Sequence, residues 1–276
     1  MPNSSVGSRW VWRPWLFGLC GISCLVTPVA TAEMPLRIAR CLLDSYPGAL
    51  CEMTATDLVW CDGTRTPLRQ GSGAKNHAEQ LEHGDLLDQM SQKYTPFAKP
   101  APLAVDDEPG RIRHEPFFAK LYGPSRTQVR KTLVPVRWLD GKVLLVQGKF
   151  GIAKQLAAVR DELAHLPPAL TAAVRNSAGT FVWRTIHGTN RRSAHAYATA
   201  IDVGVAQSDF WQWQTPDGNG KLTWRNRIPS EVVDVFERHG FIWGGRWYHF
   251  DTMHFEFRPE LLHPDCRGSV LHNPLD

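Results

Sequence analysis

Two short segments of the sequence bring together residue types that bind a divalent metal. The first contains His195 and Asp202, and the second contains Asp251 and His254. Two imidazoles and a carboxylate suit Zn²⁺, which takes nitrogen and oxygen donors at about 2.0–2.2 Å. Three protein ligands would leave a fourth position open, as in catalytic rather than structural zinc sites. The residue types therefore favour a metal site.

The interval between the first two candidate ligands restricts the local fold. Seven positions separate His195 from Asp202. In one strand they would stand roughly 23 Å apart on opposite faces, at about 3.3 Å per residue. In one helix they would stand about 10 Å apart along the axis. If both bind one ion, the chain must fold back between Ala196 and Ile201, where alternate alanines allow a close return.

A second carboxylate and a guanidinium complete the candidate chemistry. Asp251 lies three positions before His254, where it could take a proton from a metal-activated water and hand it to a leaving amine. Arg184 would supply positive charge to a developing oxyanion or grip a substrate carboxylate. These roles together indicate amide hydrolysis.

Simpler interpretations of the same residues stay open. A His near an Asp is often only a hydrogen-bonded pair. Glu256 alternates with His254 along a predicted strand and would then orient that imidazole. A structural zinc site, with its open position closed by Glu256 or His249, is a further alternative.

The elements that must position these residues are short and mixed. The predicted elements are a hairpin at 133–146 around an Asp-Gly turn, helices at 152–163, 169–175 and 230–238, and strands at 57–60, 181–186, 200–205 and 254–257. They show no regular βαβ rhythm. We therefore predict an α+β fold, with a mainly antiparallel sheet flanked by helices and carrying the metal site.

The first 32 residues have the pattern of a secretory signal. Arg9 and Arg13 precede an apolar run over 16–26, and the segment ends in Ala-Thr-Ala at Ala32. The apolar run is shorter than the ~20 residues that a membrane-spanning helix needs. We predict cleavage after Ala32, export to the periplasm or the extracellular space, and no transmembrane segment in the mature chain.

Export changes the interpretation of the cysteines, because disulfides persist in oxidising compartments. Four cysteines follow the signal, at positions 41, 51, 61 and 266. Their spacing does not resemble a zinc site, so we predict two disulfides, for which three pairings are open.

Two regions are predicted after the signal. Residues 33–130 form a loop-rich N-terminal region of unassigned role, within which 111–122 either lines a cleft or packs as an exposed segment. Residues 131–276 form the catalytic domain. In this domain, Arg191 and Arg192 are predicted to occupy a solvated turn.

Composition excludes several classes of protein. The 276 residues are 43% hydrophobic and 21% charged, which is ordinary for a globular chain and unlike a disordered, collagen-like or coiled-coil protein. The net charge, 31 − 27 = +4, is too weak a bias to favour nucleic acid as a partner. Composition leaves the oligomeric state open.

The paired motifs resemble those of a known family. The run Ser193-x-His195-x-x-Ala198-x-Ala-x-Asp202, followed by Asp251-x-x-His254, is similar to the Ser-x-His-x-x-Gly-x-Ala-x-Asp and Glu/Asp-x-x-His pair of the D-alanyl-D-alanine carboxypeptidase (VanY-like) zinc peptidases. That group also contains the L-alanyl-D-glutamate endopeptidases. The likeness extends over about residues 180–258. Ala198 replaces the usual glycine, a change that would strain a position with positive φ.

The resemblance implies a role for each site residue. One zinc ion would be held by His195, Asp202 and His254, with Asp251 as the general base. The implied role of Arg184 is binding of the substrate or the transition state. Ser193 would be a supporting residue that hydrogen-bonds within the site.

The resemblance also implies a substrate. We predict a secreted zinc metallopeptidase that hydrolyses amide bonds in peptidoglycan stem peptides, as a D-alanyl-D-alanine carboxypeptidase does. One alternative is an L-Ala–D-Glu or cross-link endopeptidase. An alternative of another class is a cell-wall-binding module without catalysis.

Overall fold

The computed structural model describes residues 29–218 and 220–268. Most of the predicted signal segment therefore lies outside the described residues, and only its last four positions fall in the first helix. Within the described part of the chain, no helix combines the length and the apolar character needed to cross a bilayer.

The first half of the chain has one small sheet and five helices among the described residues. Its elements in order are α1 Val29–Ser45, β1 Leu50–Met53, β2 Asp57–Trp60, β3 Arg65–Pro67, α2 His77–His83, α3 Leu86–Gln89, α4 Glu115–Tyr122 and α5 Arg126–Arg130. The three strands pair antiparallel in the order β1-β2-β3. Long irregular stretches separate the helices, as the polar, unpatterned sequence predicts.

The second half contains an antiparallel hairpin and a four-stranded sheet. Its elements are β4 Leu133–Arg137, β5 Val143–Gln147, α6 Ile152–Ala164, α7 Pro168–Thr171, β6 Ser177–Gly179, β7 Ala200–Val203, α8 Ser230–Arg238, β8 Phe241–Trp243, β9 His254–Phe257 and α9 Pro259–Leu262. The larger sheet has the order β6-β7-β9-β8, with every pair antiparallel. The predicted α+β class with flanking helices is confirmed.

The predicted hairpin and helices follow from their local sequence. The Asp140-Gly141 pair makes the turn between β4 and β5, and Gly141 takes the positive φ of 83° that this turn needs. Helix α6 buries an apolar stripe that includes Leu156 and Val159. Helix α8 follows Pro229 and ends before Gly240, whose φ is 86°.

The strand predicted over 181–186 is wrong. This segment has only one isolated bridge, between Thr185 and Arg192, and Val182 is 51% exposed. The N–H of Val182 donates to the carbonyl of His195 at 3.2 Å, and that of Ile186 donates to the carbonyl of Arg191 at 2.9 Å. This backbone therefore bonds to the nearby segment 191–195 and does not join the four-stranded sheet. Ile186 lines a cavity, whereas Phe181 and Trp183 pack against the core.

Two disulfides resolve the pairing that the sequence left open. Cys41 in α1 bonds Cys266, and Cys51 in β1 bonds Cys61 just after β2. The first bridge joins the two ends of the described chain. Disulfide bonding, predicted from the even number of cysteines, is therefore a feature of the fold.

Buried polar contacts also cross the predicted boundary at residue 130. The Tyr46 hydroxyl donates to Glu260 at 2.7 Å, and the Tyr94 hydroxyl donates to Glu237 at 2.5 Å. All four residues are almost inaccessible to solvent. The N-terminal region thus shares its core with the second half of the chain, and the proposed division into two regions stays a prediction.

Candidate metal centre

Strand register brings two of the candidate ligands together. In the antiparallel pair β7 and β9, Asp202 lies directly opposite His254. Cross-strand neighbours of this kind have Cβ atoms about 4.5–5.5 Å apart, so their side chains meet on one face. Glu256, two positions along β9, projects from the same face as His254.

A tight return of the chain brings in the third ligand. His195 lies in a 3₁₀ helix, Ala194–Tyr197, which is followed by Ala198 in the left-handed region with φ 57° and ψ 31°. Strand β7 begins two residues later. The fold-back predicted between Ala196 and Ile201 therefore exists, and Ala198 occupies the conformation for which glycine is better suited.

The three side chains converge on one point. His195 Nε2 lies 3.3 Å from His254 Nδ1, and His254 Nδ1 lies 3.0 Å from Asp202 Oδ1. His195 Nε2 lies 3.2 Å from Asp202 Oδ2. One donor atom from each residue falls within 4.8 Å of the others, and this is the one such group of His, Cys, Asp or Glu in the described ranges.

The opposite nitrogen of each imidazole is held by an acceptor. His195 Nδ1 lies 2.9 Å from the carbonyl oxygen of Thr180, and His254 Nε2 lies 3.4 Å from Glu256 Oε2. A proton on each of these nitrogens leaves His195 Nε2 and His254 Nδ1 with lone pairs that face Asp202. Contacts of this kind fix the tautomer of metal-binding histidines.

The site is built to stabilise positive charge. Burial lowers the pKa of His254, but hydrogen bonds to Asp202 and Glu256 outweigh burial and raise it to about 10. Burial raises the pKa of Asp202, but His195 and His254 outweigh that effect and hold it well below the ordinary range. The carboxylates thus stay ionised, and a cation between the imidazoles would be favoured.

Glu256 is also held by two arginines. Arg113 Nη1 donates to Glu256 Oε2 at 3.1 Å, and Arg258 Nη1 donates to Oε1 at 3.4 Å. Burial raises the pKa of Glu256, but Arg113, His254 and Arg258 lower it to about 2. This arrangement suits a residue that orients His254, as predicted, rather than one that closes the coordination shell. His249, the other candidate for that position, instead hydrogen-bonds Glu108 through Nδ1.

Asp251 lines the same cavity as the three candidate ligands. Its backbone is fixed by a bridge to Phe210 and by an N–H that donates to the carbonyl of Gly244 at 2.9 Å. Its Oδ1 atom is buried and has no hydrogen-bond partner among the described residues. Burial raises the pKa of the Asp251 carboxyl to about 6, with His254 opposing and Asp202 adding to the shift. An unsatisfied carboxylate oxygen beside a metal site is equipped to accept a proton.

The cavity in front of these residues measures about 570 Å³. Arg184 and Ser193 both line it. The Arg184 side chain is exposed at the rim, while Ser193 is buried and donates its N–H to the carbonyl of Arg184 at 3.1 Å. The Ser193 hydroxyl makes no hydrogen bond within the described ranges, so its supporting role stays a prediction.

Sequence reasoning missed part of the cavity wall. The solvated turn predicted at Arg191 is wrong, because this side chain is only 11% exposed, pairs with Glu82 and lines the cavity. Of the two alternatives for 111–122, the structure supports the cleft lining, because Arg111 and Arg113 line the cavity. The exposed packing segment is wrong, because α4 buries its apolar residues in the core. Aromatic residues from the insert after β7 form another side of the cavity, at positions 210, 211 and 213.

Comparison with known proteins gives one family match, which covers the segment that carries the site. Residues 187–257 match a family model described as D-alanyl-D-alanine carboxypeptidase. The matched segment contains all three candidate ligands and Asp251, so the resemblance inferred from the paired motifs is confirmed over that segment. Over this segment, the chain is similar to the peptidases of that family. Neither the curated proteins nor the solved structures include a significant match to the chain.

Proposed function

We propose that the protein is an exported zinc peptidase that hydrolyses amide bonds in peptidoglycan stem peptides. The observation that carries this proposal is the convergence of His195, Asp202 and His254 beside Asp251 in one cavity. The match of this segment to a peptidase family supports it. The predicted signal at residues 1–32 and the two disulfides support export.

The residues present fit a zinc ion. Two imidazole nitrogens with free lone pairs and one carboxylate form the donor set, and both imidazoles have outer hydrogen-bond acceptors that fix their tautomers. When bound, zinc supplies Lewis acidity that polarises a carbonyl and makes water more acidic.

The chain's own residues then handle protons and charge. Asp251 accepts a proton from the water whose oxygen bonds to the scissile carbonyl carbon. As the C–N bond breaks, the same carboxyl passes that proton to the leaving amine. The Arg184 guanidinium at the rim stabilises the developing oxyanion or binds a substrate carboxylate.

Mass spectrometry of digested muropeptides tests the reaction. A carboxypeptidase releases a terminal D-Ala, whereas an L-Ala–D-Glu or cross-link endopeptidase makes an internal cut. We expect loss of the terminal D-Ala together with one zinc per chain by elemental analysis. Binding of cell walls without any hydrolysis by the zinc-loaded protein would contradict the proposal and indicate a wall-binding module.

The N-terminus of the exported protein tests the localisation. We expect the mature chain to begin at Glu33 and to accumulate outside the cytoplasm. Sequencing of the purified protein from each cell fraction would show this. An uncleaved chain that stays in the cytoplasm would contradict export.

A further inference from the structure

Three guanidinium groups line one cavity wall near the metal centre. Arg111 and Arg113 lie in the loop before α4, and Arg191 lies in the loop before the 3₁₀ helix that carries His195. Their side chains are 17%, 9% and 11% exposed. Arg113 Nη2 donates to the carbonyl of Arg192 at 2.8 Å, so the loop over 111–113 lies against the loop that carries Arg191.

The three arginines differ in how many donors are already used. Arg113 uses both terminal nitrogens on the protein, because Nη1 donates to Glu256 and Nη2 donates to the carbonyl of Arg192 at 2.8 Å. Arg111 uses Nη1 on Glu108, and Arg191 uses Nε on Glu82 at 3.0 Å. A guanidinium has five N–H donors.

The unused donors face the cavity rather than the protein interior. Among the described residues, neither Arg111 nor Arg191 has a buried nitrogen without a partner. Both side chains nevertheless line the cavity and are more than four-fifths buried. Their remaining N–H groups therefore open onto the space that a substrate would fill.

We propose that Arg111 and Arg191 form a subsite that binds a carboxylate of the substrate peptide. This inference rests on the proposed function and adds to it the substrate class, an acidic peptide. Guanidinium groups bind carboxylates through paired, charge-assisted hydrogen bonds, and partial burial strengthens such bonds. Arg113 is left out of this subsite because it pairs with Glu256, the carboxylate beside His254.

The subsite also gives the N-terminal region a role. Arg111 lies outside the matched segment 187–257, whereas Arg191 lies inside it. Glu108 holds Arg111 and also accepts hydrogen bonds from His249 and His77. The loop over 106–113 is thereby tied to the residues just before β9, so two distant regions build one binding wall.

Binding of matched peptides by calorimetry tests the subsite. The probes are the pentapeptide L-Ala-γ-D-Glu-L-Lys-D-Ala-D-Ala, the same peptide with the D-Glu carboxylate amidated, and the same peptide with a C-terminal amide. The zinc-loaded Asp251→Asn protein serves for binding, so that hydrolysis does not interfere. We expect one of the two amides to bind about tenfold more weakly than the parent peptide. The amide that loses affinity identifies which carboxylate is bound.

Substitution of Arg191 in the Asp251→Asn protein tests whether this residue is responsible for the carboxylate preference. Arg191→Gln should weaken binding of the parent peptide about tenfold and abolish its advantage over the sensitive amide. The matched control is Arg192→Gln, which removes the same charge from the next residue, whose guanidinium lies over Trp183 rather than in the cavity. This control should keep the preference.

Three results would overturn the subsite. They are equal binding of all three peptides, an unchanged preference in Arg191→Gln, and an equal loss in Arg192→Gln. The proposed function fails in a different way, through wild-type protein that hydrolyses no peptide. A carboxylate preference that persists in such a protein would leave the subsite intact.

Discussion

The sheet that carries two of the three candidate metal ligands and the N-terminal region contribute to the same cavity in different ways. In the sheet, Asp202 and His254 meet because they are register partners on adjacent strands. In the N-terminal region, Arg111 reaches the cavity from a loop that is held by the buried carboxylate of Glu108 and by side chains such as Trp247 and Arg258. Backbone pairing arranges the first set, and buried side-chain contacts arrange the second.

The two kinds of arrangement differ in how much of the sequence encodes them. A ligand set built on strand register is encoded in a short segment, and that segment is the one that matches a family. A wall built from loops depends on contacts between residues far apart in sequence, such as Glu108 with His249 and Tyr94 with Glu237. We expect catalysis to depend on the sheet, and substrate preference and stability to depend on the loops.

The largest expected effect is loss of the metal. Asp202→Asn or His254→Ala should abolish zinc binding and lower kcat/KM at least about a thousandfold, because either change removes a ligand. Elemental analysis and muropeptide digestion measure the two effects. Asp209→Asn is a control, since Asp209 pairs with Arg227 outside the cavity. Full zinc content in either ligand variant would show that the sheet is not the metal site.

Substitution of Asp251 should lower kcat without changing the zinc content. Asp251→Asn keeps the side-chain shape but cannot accept a proton, so kcat should fall about 100- to 10,000-fold while zinc content is unchanged. Steady-state kinetics on a zinc-saturated sample measures this. Turnover at the wild-type rate would exclude Asp251 as the proton acceptor.

The two disulfides should contribute unequally to stability. Their cysteines are 225 and 10 residues apart, so the bridge from Cys41 to Cys266 restricts the unfolded chain far more. Loss of the long bridge should lower the free energy of unfolding by about 5 kcal/mol, and loss of the short one by about 3 kcal/mol. Urea denaturation of the two double-serine variants compares them. An equal loss would contradict this ranking.

Protonation of Glu108 at low pH should weaken its contacts with Arg111 and His249 and lower the free energy of unfolding. Burial raises the pKa of Glu108, but His249 and Arg111 outweigh burial and lower it from 4.5 to about 2. A lowered pKa means that this stabilisation is fully present above pH 4.5 and is lost as the pH falls through 2, by about 3 kcal/mol in all. Urea titrations across this range should show a shallower pH dependence for Glu108→Gln. The same slope in both proteins would assign the acid sensitivity to other groups.

The smallest expected effect is at Ala198. Its left-handed conformation costs an alanine roughly 1–2 kcal/mol, whereas a glycine would lose more chain entropy on folding. Ala198→Gly should therefore change the free energy of unfolding by less than about 1 kcal/mol, with zinc binding retained. Ala198→Val, which is β-branched, should destabilise by more. Thermal melts rank the two, and a better tolerated valine would contradict the strain argument.

Local sequence predicted the sheet better than the loops. Alternation and turn residues were sufficient for the hairpin and for β7 and β9, and the spacing of His195 and Asp202 required the chain reversal that exists. Arg191 was misjudged because its partner, Glu82, is 109 residues away. The prediction of a buried strand over 181–186 is wrong because this backbone bonds to the nearby segment 191–195 and does not enter the sheet.

The long disulfide has a consequence for biosynthesis. Three cysteines lie within residues 41–61, but the partner of Cys41 is made 225 residues later. If the chain is exported amino end first into an oxidising compartment, Cys51 and Cys61 become available to Cys41 before Cys266 does. Cys41 can then form a non-native disulfide with either of them. We expect the native bridge to form by reshuffling, and yield to depend on a disulfide isomerase in the producing cell.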